Sequence, residues 1–279
     1  MYSAELHSHS NHSRGTKVIH EGLNSPKEMV EHAKEIGLDI LAITDHNKVK
    51  GSLEAKKYAK KYCITVIPGE EVSSREGHIL GLGIEEEIKP GLGIEETIER
   101  IHSLGGVAIA AHPFDVKGEG CSKLAVKCDA VEIFNALNVD RVANYKSKKF
   151  VTRKHLPYIA GSDAHSIEML GYGRTLFRSS DIDSILRDIR KGQVEISCSH
   201  IPAKIIMEWG VNRLKLSSAY VINYMNENYS WPKRYVCRRL LSLVDKSPGS
   251  IDYLFKIMTY FSLGSVILYS AARGIAGVR

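Results

Sequence analysis

The sequence predicts an α/β fold in which short apolar strands alternate with amphipathic helices. Seven or more strand–helix units fit into about the first 200 of the 279 residues, which favours a closed, barrel-like sheet over an open, doubly wound one. Hydrophobic residues make up 43% of the chain and charged residues 25%, a balance that excludes a disordered or low-complexity protein. No glycine-rich phosphate loop follows a predicted strand, which argues against dinucleotide and nucleoside-triphosphate binding.

The first predicted helix has the clearest boundaries. Ser25 is a typical N-cap, Pro26 suits the first turn, Glu28 completes a capping box and Gly37 ends the helix. Further helices are predicted at residues 52–62, 94–104, 140–154 and 181–191. Short apolar runs predict strands at residues 3–6, 39–44, 64–67, 78–82, 107–111, 130–134, 157–160, 174–177 and 194–197. Continuous apolar strands between helices predict a parallel sheet with both faces covered.

The composition changes near residue 200. Residues 201–279 contain 11 Lys and Arg against 4 Asp and Glu, whereas the first 200 residues contain 27 against 28. The same segment holds 11 of the 21 aromatic residues, and helix-compatible stretches cover residues 203–229, 232–245 and 250–273. We therefore predict a barrel domain at residues 1–200 and a basic, aromatic-rich helical extension at residues 201–279.

The extension leaves two questions open. Its last helix contains 16 uncharged residues, 257–272; a membrane span needs about 20, so a helix packed on the barrel is favoured over membrane attachment. The second question concerns a basic cluster near Trp231. Its cations could bind a short nucleic acid or an anionic membrane surface, although a solvated basic face with buried aromatic residues is favoured. The cluster consists of Lys233, Arg234, Arg238 and Arg239.

The cysteines and the first residues predict a cytoplasmic location. Five cysteines are scattered along the chain without a Cys-x-x-Cys pair, as is typical of a protein with reduced thiols. Residues 1–13 are polar and histidine-rich, unlike a secretory signal. These patterns do not determine the oligomeric state.

Residue types that bind divalent metals follow the predicted strands. His7 and His9 come after the first strand, two residues apart and therefore on one side of an extended chain. Asp45 and His46 follow the second strand, and Glu71 follows the third. Candidates near later strand ends are His78, His112, Glu132, Asn135, Asp163 and His165. Because the ends of parallel barrel strands meet at one mouth, we expect a site there for Zn²⁺, Mn²⁺ or Fe²⁺.

Six segments, in order, resemble the motifs of the PHP (polymerase and histidinol phosphatase) superfamily. They are His7-Ser-His9, Thr44-Asp45-His46, Pro68-Gly69-Glu70-Glu71-Val72-Ser73, His78-Ile-Leu-Gly, Ala111-His112-Pro113 and Gly161-Ser162-Asp163-Ala164-His165. The resemblance covers about residues 1–200 and is nearest to the stand-alone phosphoesterases of the superfamily. It implies a distorted (β/α)7 TIM-like barrel with a cluster of two or three divalent ions at its mouth.

The resemblance also implies which residues bind these ions. The implied ligands are His7, His9, Glu71 and Asp163 for a first ion, Glu71 again with His78 and His112 for a second, and His46 and His165 for a third. Glu71 is preferred to Glu70 because it directly precedes Val72-Ser73, as in the family pattern.

One position departs from that pattern. Members of the superfamily commonly carry Asp five residues after the second histidine of the first motif, where this chain has Arg14. A guanidinium cannot bind a metal ion. Three interpretations are open. In the one we favour, Arg14 replaces the charge of the third ion and binds a substrate phosphate. In the others, His12 or His20 takes the ligand position, or Arg14 faces solvent. This departure favours two tightly held ions over three.

The implied activity is that of a metal-dependent phosphoric ester hydrolase. Two neighbouring cations would lower the pKa of a water that attacks phosphorus, with Arg14 stabilising the growing charge. His46 or His165 is the candidate general acid, and Asp45 would orient His46 or support the ligands, as would Glu132 and Asn135. The expected substrate is a small phosphomonoester, a nucleotide or a short oligonucleotide. The alternative is a non-catalytic, RNA-binding scaffold subunit built on the same barrel.

Overall fold

The structure is a computed structural model that describes residues 1–138 and 141–275 and has a mixed α/β architecture. Its strands are β1 (Tyr2–Glu5), β2 (Ile40–Ala42), β3 (Thr65–Ile67), β4 (Gly69–Ser73), β5 (His78–Leu82), β6 (Val107–Ala110), β7 (Ala130–Asn135), β8 (Tyr158–Gly161), β9 (Gly173–Phe177) and β10 (Glu195–Cys198). Its helices are α1 (Pro26–Glu35), α2 (Lys50–Tyr62), α3 (Ile94–Ser103), α4 (Arg141–Lys154), α5 (Ile182–Lys191), α6 (Ala203–Leu216), α7 (Ser218–Asn228), α8 (Trp231–Val244) and α9 (Ile251–Ile275). The predicted start of α4 at Asp140 lies outside the described residues.

Helix α1 has the predicted capping box. The backbone N–H of Glu28 donates to the Ser25 hydroxyl, and the backbone N–H of Ser25 donates to the Glu28 carboxylate. Gly37, just beyond the helix, has φ 74°, the left-handed conformation that often follows a helix end. The buried face of α1, which includes Met29 and Val30, packs in a core cluster with the outer faces of β2 and β3.

The strands form two five-stranded sheets around one core. The first sheet has the order β10-β9-β1-β2-β3, and the second has the order β4-β5-β6-β7-β8. A single buried cluster contains Leu6 and Ile40 from the side of the first sheet and Leu80 and Ile109 from the second. Ile185 of α5 packs into the same cluster. Other helices cover the outer faces of the sheets.

Isolated bridges join the two sheets at one end of this core. Ser8 pairs with Ala164, and His46 pairs with Glu71. The predicted α/β class is confirmed. The described strand pairing, however, is that of two sheets linked at one end, and it does not form the continuous ladder expected for a closed barrel.

The expectation of an all-parallel sheet is wrong. The pairs β1–β2, β2–β3, β6–β7 and β7–β8 are parallel, whereas β4–β5, β5–β6, β1–β9 and β9–β10 are antiparallel. Only residues 74–77 separate β4 from β5, and a parallel connection needs about a dozen residues or more. Strand β4 escaped prediction because its sequence begins as a Pro-Gly turn and continues with two charged residues. Glu71 therefore lies within a strand, not after one.

The C-terminal helices begin at Ala203. The helix-compatible stretch at residues 203–229 forms two helices that meet at Ser217. Helix α6 packs through Ile206 and Trp209 against the cluster that contains α1 and α2. Helix α9 contacts α6 and α4, yet none of residues 251–269 is buried. The last helix is therefore docked on one side only.

Candidate metal centre

The side chains predicted as metal ligands converge where the bridges join the two sheets. Among the described residues, ligand atoms lie within 4.8 Å of one another in the groups His7–Glu71–His112, His7–His9–Asp163, His46–Glu71–His78 and His9–His46–His165. Together these groups contain every residue predicted to bind metal. Because members are shared between groups, the groups are parts of one cluster, and His78 and His112 each approach Glu71 as the second predicted ion requires.

Strand ends and strained turns place these side chains. His7 and His9 follow β1, His78 begins β5, and His112 and Asp163 follow β6 and β8. The φ angles of His112 and Asp163 are 26° and 54°. Positive φ is uncommon for residues other than glycine, and such strain is typically retained at functional positions.

Glu71 lies at the centre of the cluster. Its Oε1 is 3.0 Å from His78 Nδ1 and 3.1 Å from His112 Nε2, and its Oε2 is 3.0 Å from His46 Nδ1 and 3.4 Å from His9 Nε2. Burial alone would raise the pKa of this carboxyl, but the imidazoles, led by those of His78 and His46, hold it well below its usual range. An ionised carboxylate with both oxygens facing histidines is well suited to bridge two cations.

The protonation pattern shows that the cluster fits cations. His7 donates its Nδ1–H to Glu132 over 2.9 Å, and His9 donates its Nδ1–H to Ser13 Oγ over 2.9 Å. The Nε2 atoms of the two rings, 3.3 Å apart, therefore carry lone pairs that repel unless a proton or a metal ion lies between them. Six imidazoles and two carboxylates form a donor set that suits Zn²⁺, Mn²⁺ or Fe²⁺.

Unsatisfied polar atoms support the same conclusion. Glu71 Oε2, His78 Nδ1 and His112 Nδ1 are buried and make no hydrogen bond among the described residues. Buried polar atoms nearly always have a partner, and an ion is one explanation for those that do not. Burial would lower the pKa of His46 and of His112, but Glu71 outweighs it and raises each to about 9. The negative charge that favours protonation of these imidazoles would also favour the binding of metal cations.

Glu132 and Asn135 hold the ligands in place, as the sequence predicts. Besides accepting from His7, Glu132 accepts from the backbone N–H of His112 over 2.7 Å and from Asn135 Nδ2 over 3.0 Å. Asn135 Nδ2 also lies 3.2 Å from Asp163 Oδ2. One buried carboxylate therefore fixes the tautomer of His7 and the position of His112.

One interpretation of the sequence expected Asp45 to orient the His46 imidazole. In the structure Asp45 makes other contacts instead. Its carboxylate is buried and accepts from Ser10 N–H and Ser10 Oγ, each over 2.7 Å, and from Ser13 Oγ over 2.9 Å. Because the Ser13 proton points to Asp45, Ser13 Oγ accepts from His9. Asp45 therefore sets the tautomer of His9 through Ser13.

Of the three positions expected for Arg14, the structure has the one that faces solvent. Arg14 is exposed, its backbone pairs with His20, and no described contact links its side chain to the cluster. The phosphate-binding role of Arg14 stays a prediction. His12, one proposed substitute ligand, lies 3.2 Å from Glu54 instead.

Glu21 is the nearby acid that no sequence pattern singled out. Its Oε2 lies 3.7 Å from His46 Nε2, and its Oε1 lies 3.8 Å from Arg213. A Cβ atom built on Gly15 would lie 3.4 Å from Glu21 Oε1. The carboxylate therefore fills space beside the very segment in which the family commonly carries Asp. Glu21 lies in the loop between β1 and α1, where the spacing of residues does not predict which side chains meet.

Helix α6 contributes to the mouth of the site. A cavity of about 130 Å³ is lined by residues that include His112, Lys117, Asn138, Asp163 and Trp209. The Trp209 ring lies 5.0 Å from that of His165, and its Nε1 donates to the Glu21 carbonyl over 2.9 Å. The C-terminal helices thus help to build a site that the sequence assigned to the first 200 residues.

The fold and the cluster define an α/β protein with a multi-histidine cluster that fits divalent metal ions. The PHP-domain profile matches residues 5–107, and the PHP-associated profile matches residues 141–194. An uncharacterized protein of Methanocaldococcus jannaschii is 38% identical over 147 residues, which cover 50% of this chain and 86% of that protein. The chain belongs to the PHP family, and the resemblance of its motifs is confirmed.

Two further comparisons are informative. A phosphoribosyl 1,2-cyclic phosphate 1,2-diphosphodiesterase of Eggerthella lenta is 33% identical over 107 residues, which cover 36% of this chain and 38% of that protein. The crystal structure of PsfC from Pseudomonas syringae has a TM-score of 0.57 at 17% identity and covers 77% of this chain and 98% of that chain. At this identity the second comparison shows a shared fold alone.

Proposed function

We propose that this protein is a metal-dependent phosphoesterase that acts on a small phosphomonoester, a nucleotide or a short oligonucleotide. The observation that carries the proposal is the convergence of six imidazoles on two carboxylates at one end of the core, the buried Glu71 and the largely buried Asp163. Membership of the PHP family supports it, as does the similarity to a relative named as a phosphodiesterase.

The residues of the chain determine the charge of the site. When bound, two or three divalent ions would polarise a phosphate group and lower the pKa of a nearby water. Glu71 and Asp163 supply the negative charge that retains the ions, whereas the histidines bind as neutral ligands. The loaded site is therefore net positive and attracts an anionic phosphate. Lys117, which lines the mouth, adds a further cation for the substrate.

Two histidines are candidates to donate a proton to the leaving oxygen. The His46 side chain is 20% exposed at the rim, and its Nε2 faces Glu21. The His165 side chain is 7% exposed, and its Nδ1–H is held by the Asp163 carbonyl over 2.8 Å. Of the two, His46 is the more accessible to a leaving group in the mouth. The Trp209 ring lies 5.0 Å from that of His165 and partly covers this histidine.

A substrate panel with added Mn²⁺ tests the proposal. It spans sugar and amino-alcohol phosphates, mononucleotides, a cyclic phosphate and short 5′-phosphorylated oligonucleotides. Adjacent glutamates of β4 provide a matched pair: Glu71 faces the histidines, and Glu70 Oε1 accepts from the Ile88 N–H over 2.6 Å. We expect Glu70→Gln to retain activity and Glu71→Gln to lose at least about a thousandfold, since bound ions contribute several kcal/mol.

Two results would contradict this function. One is the absence of hydrolysis above background for every substrate by protein that carries its ions. The other is equal turnover by wild type and Glu71→Gln. Folded protein without metal that binds RNA tightly would favour the scaffold alternative, because a scaffold has no need of the ligands.

A further inference from the structure

Four large side chains of α9 face outward. Tyr253, Ile257, Phe261 and Leu268 are 76%, 66%, 76% and 73% exposed. At 100° per residue these positions fall within one face of the helix. A helix that is apolar on every side normally lies in a protein core or in lipid, and this one lacks a protein cover on that face.

The exposure and position of this apolar segment argue against a core helix and against a signal sequence. Ile251–Ser270 is 20 residues long and is apolar enough to cross a membrane by length and composition. The core helix of a soluble protein would be mostly buried, yet none of residues 251–269 is. A signal sequence would lie near the first residues of the chain, and this segment follows about 250 others. Contact with lipid accounts for a long apolar helix that is exposed at this place in the chain.

A basic cluster on α8 accompanies the apolar face. In the described part of the chain, none of its cations has a carboxylate within ion-pair distance; their contacts are with the neutral Asn226 and with tyrosine rings. The cluster consists of Lys233, Arg234, Arg238 and Arg239. Unneutralised cations beside exposed apolar residues are complementary to anionic lipid headgroups.

Helices α8 and α9 line one groove and are both exposed beside it. Leu240 of α8 and Met258 of α9 are 49% and 47% exposed, and both line an apolar groove of about 680 Å³ among α6, α7, α8 and α9. Trp231 and Tyr235, at the start of α8, are 69% and 52% exposed. Exposed Trp and Tyr near apolar and basic side chains are typical of the interface between headgroups and acyl chains.

We propose that α8 and α9 bind the surface of a bilayer that contains anionic phospholipids. Helix α9 packs on α6 and α4 with one side, so the opposite side is the one left for lipid. The helix therefore lies in the plane of the membrane, with its apolar face at the acyl boundary, and does not cross it. This attachment is independent of the proposed hydrolysis and would place the metal centre beside a membrane.

Flotation of the full-length protein with vesicles tests the proposal. The vesicles are pure phosphatidylcholine or a three-to-one mixture of phosphatidylcholine and phosphatidylglycerol. We expect wild type to float mainly with the mixed vesicles and to be released by alkaline carbonate. The triple substitution Ile257→Ser, Phe261→Ser and Leu268→Ser should weaken binding to mixed vesicles at least tenfold. Circular dichroism and metal content, which exposed positions should not change, show that the variant is folded.

Charge is tested by a matched pair of quadruple variants. Replacing the four cations of the basic cluster with Gln should lower affinity for the mixed vesicles by roughly six-hundredfold, since each basic residue near an anionic surface contributes about fivefold. The control replaces four exposed lysines of α2, Lys56, Lys57, Lys60 and Lys61, and should bind as wild type does.

Four outcomes would overturn the proposal. Wild type does not float with either vesicle, or both quadruple variants lose binding equally. A third outcome is that wild type does not bind lipid and is a dimer by light scattering, whereas the triple variant is a monomer. This result would identify a second copy of the chain as the partner of α9. The basic cluster binds a short RNA and not the vesicles, which identifies nucleic acid as the partner of α8.

Discussion

The two-sheet region and the C-terminal helices differ in the burial of their apolar residues. Across residues 1–200, apolar side chains form three buried clusters, and most of the buried ionisable groups gather at the metal centre. Beyond residue 200, the buried hydrophobic residues are Ile201, Val211, Met225 and Val244 among those described. The difference shows that an apolar sequence predicts burial only where another element is present to cover it.

The largest expected effect tests that difference directly. Ile67 is fully buried in β3, whereas Ile257 is 66% exposed on α9. Ile67→Ala should lower the free energy of unfolding by about 2–5 kcal/mol, and Ile257→Ala should change it by less than about 0.5 kcal/mol. Chemical denaturation of both variants measures the contrast. Equal losses at the two sites would show that α9 is covered in solution.

The next contrast is between Glu132, which holds the metal ligands, and a carboxylate of the C-terminal helices. Glu132→Gln removes an acceptor that holds His7, His112 and Asn135 together, so we expect metal affinity to fall by about 10–100-fold. Glu227→Gln, an exposed carboxylate on α7, is the matched control and should leave affinity unchanged. Competition with a fluorescent chelator measures both. If Glu132→Gln binds metal as tightly as wild type does, Glu132 does not support the ligands.

Glu21 lies where the two regions meet. Because its carboxylate is near both His46 and Arg213, we expect Glu21→Gln to lower the metal content by up to one ion per chain without loss of fold. The exposed Arg14, replaced by Gln, should leave the content unchanged. If Glu21→Gln retains every ion, Glu21 serves only to position Arg213.

The smallest expected effect is a pH dependence at Glu70. Burial raises the pKa of this carboxyl from 4.5 to about 7, so its contribution to stability is full below pH 4.5 and is lost as the pH rises through 7. Glu70→Gln keeps an oxygen for the Ile88 N–H and carries no charge. The variant should be more stable than wild type by about 1–2 kcal/mol above pH 7 and equal to it near pH 4. Parallel thermal melts across this range would show no difference if Glu70 is solvated.

The sequence predicts the ligands better than their surroundings. His7 and Asp163 are 156 positions apart, yet their Nε2 and Oδ1 atoms lie 3.5 Å apart, as the strand-end argument expects. Strand β4 was missed because Pro68 and Gly69 resemble a turn. The link from Asp45 through Ser13 to His9 depends on loop geometry, which periodicity does not encode. The exposure of α9 was also missed, since it depends on which helices pack beside it.

The metal content of the purified protein tests the central claim most directly. Inductively coupled plasma mass spectrometry, after dialysis against metal-free buffer, should find at least two divalent transition-metal ions per chain in wild type and in Glu70→Gln. Glu71→Gln should retain fewer than wild type and lose phosphoesterase activity with them. A folded wild-type protein that binds no transition metal when Mn²⁺, Zn²⁺ or Fe²⁺ is supplied would contradict the account.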